Sequence, residues 1–350
     1  MTIETRKNDH IKICIEKDVQ STRNYWDDII LPHRAIPEVD LSDVVLETEI
    51  LGRKLEAPII ISAMTGGTPQ AEKYNEILAR AASESGIGLG VGSQRAGIEN
   101  KEYRSSYEIV KNYDVPLILG NLGAPQFSST IPGRRYGMDE MIEAREMVGA
   151  HGICLHLNYL QEVVQPEGDC FAKGLLDSVR ELSGDIPVIA KETGAGISKS
   201  DALKLKDAGI SAIDVGGMSG TTFSGVESFR NDVSGRSARL GSTLWDWGIP
   251  TPISLLEADV GLPLIGTGGI RNGLDIARAL SLGASAGGMA WKILMAASEG
   301  YEALKHELNL IIEEVRAVVF LSGATSVEDM AKVDPNIIGR TRELLAGAGR

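Results

Sequence analysis

Short, almost wholly apolar runs recur along the chain. They begin near Pro58 (PIIISAM), Gly86 (GIGLGVGSQ), Val115 (VPLILGN), Gly152 (GICLHLN), Ile186 (IPVIAKET), Ser211 (SAIDVGG), Leu262 (LPLIGTGG) and Ala284 (ASAGGMA). Each is too short for a globular helix and reads as a strand buried on both faces. Amphipathic segments over 72–85, 138–150, 174–183, 200–208 and 273–282 stand between them. Val148-Gly149-Ala150, Ala208-Gly209-Ile210 and Leu282-Gly283-Ala284 read as helix C-caps that lead straight into the next strand. Eight strand–helix alternations predict an α/β fold, a (β/α)8 TIM barrel rather than a doubly wound sheet.

Three stretches fall outside that alternation. Val44 to Ile50, Leu51-Gly52 and Arg53 to Glu56 read as a hairpin placed to plug the barrel's bottom. A long loop over 216–262 separates the sixth run from the seventh, and its glycine-rich start predicts a mobile lid. Residues 299–321 read as a long helix, with Leu304, Leu308, Ile311, Ile312, Val315, Val318 and Val319 spaced at three and four. The expected organisation is an N-terminal arm and hairpin over 1–57 and a barrel with C-terminal helices over 58–350, one domain overall.

Composition narrows the partners. The 350 residues carry 35 Lys+Arg against 48 Asp+Glu, a formal net charge of −13, which argues against nucleic acid or an anionic membrane as the main partner. Cys14, Cys154 and Cys170 are odd in number and lack CxxC spacing, so neither a disulfide framework nor a zinc site is expected. Residues 1–10 lack an apolar signal region and no run is long enough to span a membrane. The chain therefore reads as cytoplasmic.

In a barrel of this kind chemistry belongs at the C-terminal strand ends. The fourth run places His156 and Asn158 on one face and continues into Gln161 and Glu162, where acid–base or metal-binding groups belong. A hydrogen-bonded network without a ligand is the bland alternative for His156. Lys191 points into the barrel from the fifth run, for a Schiff base, a phosphate, an anionic flavin or a plain internal salt bridge. GTGGIRNG (266–273) and GGMAW (287–291) are glycine-rich turns ahead of helices, suited to an anion. Ala63, Met64 and Thr65, then Ser93, Gln94 and Arg95, then Asn121 close the first three strands and suit a planar polar cofactor. The sixth run leads to Thr221, Glu227 and Arg230. Arg6, Lys7 and His10 form a basic cluster, with Arg6 and His10 four apart and so on one face of any helix. That cluster reads either as a clamp reaching over the mouth or as a frayed terminus.

Taken together these strings resemble the type 2 isopentenyl diphosphate isomerases. The likeness runs in order through RKNDH, APIIISAMTGG, VGSQR, GNLGAPQ, HLNYLQEVVQPEGD, AKETGAGIS, GGMSGTTF, DWGIPTP, GTGGIRNGLD and AGGMA. The HLN..QE...PEGD string and the RK..H opening carry it; the glycine-rich ends are shared by many FMN barrels. The resemblance implies isomerisation of isopentenyl to dimethylallyl diphosphate with FMN kept reduced, NADPH or NADH as reductant, Mg2+, and a homo-oligomer, tetramer or octamer. It assigns Arg6, Lys7, His10, Ser93, Gln94, Arg95, His156, Asn158, Gln161 and Thr193 to the diphosphate substrate, and Glu162 to Mg2+. It assigns Ala63, Met64, Thr65, Ser93, Asn121, Lys191, Thr221, Gly269, Ile270, Arg271, Ala290 and Trp291 to FMN. Gln161, Glu227 and Lys191 are its catalytic or supporting candidates, with flavin N5 as the acid–base group. Gly216 stands where other members carry serine. An FMN-dependent oxidoreductase on the same barrel is the rival, yet Gly216-Gly217-Met218-Ser219 lacks the His/Arg pair that a 2-hydroxy-acid oxidase needs there. A Schiff-base aldolase on Lys191 and a non-catalytic phosphate- or flavin-binding regulator are weaker readings.

Overall fold

Inside each apolar run, alternate residues face opposite ways, and this builds two cores. The computed structural model describes residues 3–230 and 235–347. The runs form β1 (Ile59–Ile61), β2 (Gly88–Gly90), β3 (Leu117–Gly123), β4 (Gly152–Leu157), β5 (Val188–Glu192), β6 (Ala212–Asp214), β7 (Leu264–Thr267) and β8 (Ala286–Met289). All eight pair in parallel and close into a barrel, with β8 bonded back to β1. Ile60, Leu117, Leu119, Cys154, Ile189 and Ile265 fill the interior, while Ile59, Ile61, Val188 and Ala190 pack outward against the helices.

The hairpin is present as Thr48–Ile50 and Arg53–Leu55, antiparallel. Leu51 and Gly52 both take positive φ, 52° and 72°, the geometry of a two-residue turn that matches strand twist. Ile50, Leu51 and Leu55 join the interior cluster and floor the barrel. This leaves the opposite mouth as the open end.

The excursion over 216–262 departs from the expected loop. It holds the helices Phe223–Ser228, Gly235–Thr243 and Thr251–Ala258, the last of which packs on β7. The glycine-rich start is not a loose lid: Val226 and Glu227 are fully buried, and Arg230 is nearly so. The long C-terminal helix spans Tyr301–Leu321 and buries Leu304, Leu308, Ile311, Val315 and Val319, as its spacing requires. The basic arm is a helix too, Ile3–Glu16, lying against Phe223–Ser228 and Trp291–Ser298 at the mouth.

Candidate active site

The strand ends, the arm helix and the 18–28 segment enclose a cavity of about 380 Å³. Register explains its polar floor. His156 on β4 sits beside Lys191 on β5, which sits beside Asp214 on β6, so three polar side chains form one row above the apolar interior. The Lys191 ammonium donates to Asp214 Oδ2 at 2.7 Å, and Thr267 Oγ1 donates to the same carboxylate. Of the readings open for Lys191, the internal salt bridge is present, at the cavity wall.

His156 is neutral here. Its Nδ1 lies 2.8 Å from Asn121 Oδ1, while Asn121 Nδ2 donates to the Val91 carbonyl at 3.1 Å. With the amide fixed that way round, Nδ1 carries the proton and Nε2 is left as the acceptor. Burial, then the Lys191 and Lys7 charges, push its pKa down to about 3.

Beyond β4, the short helix Tyr159–Val164 presents Gln161 and Glu162. Gln161 Nε2 donates to Glu227 Oε1 at 2.8 Å, and its Oε1 accepts from Asn158 at 3.3 Å. Glu162 accepts from Asn158 Nδ2 and from the Asp169 amide, both at 2.7 Å. Burial raises the Glu162 pKa despite those bonds. Arg95 reaches Asp169 at 2.6 Å and Glu99 at 2.7 Å, and Arg6 stands 3.8 Å from Glu167. Glu192, buried, accepts from the amides of Thr193, Gly194, Ala195 and Gly196, and so shapes the loop that carries Thr193. Burial lifts its pKa to about 7 against those four donors.

Arg6, His10, Ala63, Met64, Thr65, Ser93, Asn158, Thr193, Thr221, Gly269, Ile270, Arg271, Ala290 and Trp291 line the cavity, as do Lys7, Arg95, Asn121, His156, Gln161, Glu162 and Lys191. Three of the expected residues are engaged by protein groups. Gln94 is fully buried and is not among the lining residues: it donates to the Ala144 carbonyl at 2.8 Å and accepts from the Asn121 amide at 2.9 Å, and so holds Asn121 in place. Glu227 lies behind the wall, against His10 at 2.9 Å, Gln161 and Arg230 at 2.7 Å. Burial would raise its pKa, but bonds from His10, Gln161 and Arg230 hold it at about 2, ionised. Lys7 gives its ammonium to the Gly66 carbonyl (2.6 Å), the Ser93 carbonyl (3.0 Å) and the Tyr107 hydroxyl (2.7 Å), which uses all three donors to dock the arm. Its pKa is pushed down to about 7 by burial and Arg6. The indole of Trp291 likewise donates to the Cys14 carbonyl at 3.0 Å.

Sequence reading missed Gln20, Asn24, Ser62, Gln165, Asp169 and Glu192 on the wall, and Asp214 behind it. Asp214 and Glu192 had a signal, a carboxylate inside an apolar run; Asn24 had none. The cavity also holds polar atoms without partners: Ser62 Oγ, Thr65 Oγ1 and Asn158 Oδ1 are buried and unpaired, as a site made for a polar ligand should leave them. The Glu162 carboxylate and the unpaired Asn158 Oδ1 are oxygen atoms that a metal could use. Among the described residues no three His, Cys, Asp or Glu converge on one point, so a metal here would be one completed by water and phosphate oxygens, which is the habit of Mg2+.

The profile of the FMN-dependent dehydrogenase family matches residues 12–160 and 175–337. An isopentenyl-diphosphate delta-isomerase of Methanothrix thermoacetophila is 45% identical over 98% of this chain and 96% of its own length. That of Archaeoglobus fulgidus is 42% identical over 98% of both. The chain belongs to the isopentenyl-diphosphate delta-isomerases, in the FMN-dependent branch. The fold is shared more widely: a mandelate oxidase variant with an FMN monooxide adduct superposes with TM-score 0.62 at 21% identity, covering 96% of this chain and 93% of that one. Flavocytochrome b2 with bound sulfite gives 0.64 at 16% identity, over 99% and 84%. Gly216, where the isomerases were expected to carry serine, takes φ of 47° and leaves no room for a Cβ beside the Glu192 carbonyl.

Proposed function

We propose that the chain interconverts isopentenyl and dimethylallyl diphosphate, with FMN kept reduced by NADPH or a similar donor and with Mg2+ on the diphosphate. The observation that carries this is one cavity lined both by the glycine-rich turn after β7 and by Arg6 and Arg95, with neutral His156, the Gln161 amide and the paired Lys191 also on its wall. Groups for anions beside neutral or paired side chains suit a diphosphate whose hydrocarbon double bond moves without net redox change.

When bound, reduced FMN supplies an electron-rich face and an exchangeable proton, and Mg2+ neutralises diphosphate oxygens. The residues for FMN are Thr65, Asn121, Lys191, Thr221 and the Gly269, Ile270 and Arg271 turn; Glu162, beside the unpaired Asn158 Oδ1, suits Mg2+. Gln161, held at both ends of its amide, orients the alkene; it is a poor acid and moves no proton itself. Glu227, kept ionised, acts through Gln161 and His10 as a positioning residue. The arm helix covers the mouth and keeps water from the cationic centre that proton addition creates. Assembly as a tetramer or octamer and a cytoplasmic location complete this reading; among the described residues no helix is long and apolar enough to cross a membrane.

The test is an isomerase assay on the purified chain, omitting FMN, reductant and Mg2+ in turn. Each omission should abolish or sharply reduce turnover. Turnover without flavin, or substrate oxidised mole for mole with flavin reduced, overturns the assignment.

A further inference from the structure

The β7 turn is held from behind by a segment with no motif of its own. Gly268 and Gly269 adopt φ of 110° and 77°, open to glycine and strained for other residues. The Gly268 carbonyl accepts from Trp26 Nε1 at 2.8 Å and Thr251 Oγ1 at 2.9 Å, and the Gly269 carbonyl accepts from Asn24 Nδ2 at 2.7 Å. In a trans peptide the N–H points opposite to the C=O. Pinning these carbonyls on one side therefore aims the Gly269 and Ile270 amides to the other. Among the described residues neither amide has an acceptor, and both residues line the cavity. Gly220 lies over the Gly269 nitrogen, where a Cβ would cover it.

The brace is itself anchored. Buried Asp28 accepts from the Thr341 amide (2.9 Å), the Thr341 hydroxyl (2.8 Å) and Arg23 (2.5 Å), tying it to the C-terminal helix Gly339–Gly347. Asp27 pairs with Arg271 at 2.6 Å. Residues 23–28 thus stand between the C-terminal helix and the turn.

We propose that Asn24 and Trp26 are positioning residues for the phosphate of the flavin nucleotide: they orient the amides of the β7 turn, and the Asp28–Thr341 contact fixes them in place. This rests on reading that turn as the FMN phosphate site. Asn24 also lines the cavity, so the effect on the phosphate is read as the difference between a flavin that carries it and one that does not.

The experiment titrates apoprotein with FMN and with riboflavin, which lacks the phosphate, and follows flavin fluorescence. Asn24→Ser keeps an oxygen for the Trp26 amide that Asn24 now caps at 3.0 Å, but cannot reach Gly269. Trp26→Phe keeps an aromatic ring and removes the N–H. One lost hydrogen bond should raise the FMN Kd roughly five- to tenfold in each variant, with riboflavin Kd held within about twofold. An unchanged FMN Kd overturns the proposal, and so does an equal rise for both flavins, which marks a merely structural role. If Trp26→Phe fails to fold, Asn24→Ser decides alone. Wild-type protein that binds riboflavin as tightly as FMN overturns the phosphate-site reading itself, a result distinct from the others.

Discussion

His156 sits beside Lys191, feels the Lys7 charge as well, and carries no charge of its own. Its pKa of about 3 in the fold is below the 6.5 of the free side chain, so the unfolded chain takes up a proton first as pH falls. The stability that neutral His156 contributes is complete above 6.5 and is lost as pH falls through 6.5 toward 3. Urea denaturation at a series of pH values should therefore show wild type losing more stability than His156→Gln on going from neutral to mildly acidic solution. Parallel curves would mean that His156 is not held neutral. The far residue of the row, Asp214, predicts a larger effect. Asp214→Asn leaves the buried Lys191 ammonium without its carboxylate, and the cost of breaking such a pair is about 3–5 kcal/mol. Denaturation of the apoprotein measures it, and Lys191→Met on the same background should recover part of the loss. The positions of His156 and Lys191 were legible from strand alternation, whereas Asp214 was not singled out. Their ionisation was not, because it depends on which group arrives from the neighbouring strand.

The arm helix shows how far an element can differ from its own sequence signal. Read alone, the Arg6, Lys7 and His10 cluster is either a clamp over the mouth or a frayed terminus, and as either its loss should spare the fold and the flavin site. Yet Ile11 and Ile13 are buried, Lys7 is docked on Gly66, Ser93 and Tyr107, and Cys14 accepts from Trp291. Removing residues 1–16 should lower Tm by roughly 5–10 °C, from the apolar burial lost and the entropy of unfolding of a chain this size. Scanning calorimetry checks it; an unchanged Tm would return the arm to a frayed terminus. At the other end of the barrel the hairpin met its expectation. Leu55 is fully buried at the floor, so Leu55→Ala should cost about 2–5 kcal/mol in chemical denaturation while the cavity at the mouth is untouched. The hairpin was readable because a two-residue turn between short strands is a local signal. The excursion over 216–262 was not: glycine-rich segments look loose until Glu227 and Arg230 find each other and His10.

Across the whole molecule, a net charge of −13 surrounds one cavity built to receive anions. All eight strands contribute to that mouth, directly or through the loops after them, so a ligand there links elements that are far apart in the chain. Flavin at about one hundred times its Kd should add about 2.7 kcal/mol to the unfolding free energy, read as a thermal shift that Asn24→Ser diminishes at equal FMN concentration. No shift with FMN would deny the cavity its cofactor. The linear chain by itself determined the eight strands, the barrel, the hairpin floor and which strand ends line the cavity. Those depend on a period of two, on glycine turns and on short-range caps, all contained within a few residues. Only the tertiary structure decided which polar side chains are free for a ligand and which are spent on the fold. Gln94, Glu227 and Lys7 were indistinguishable from their neighbours until Ala144, Arg230 and Tyr107 came to meet them. Asn24 reaches Gly269 from 245 positions away in the chain, a contact no local pattern encodes because barrel closure alone creates it.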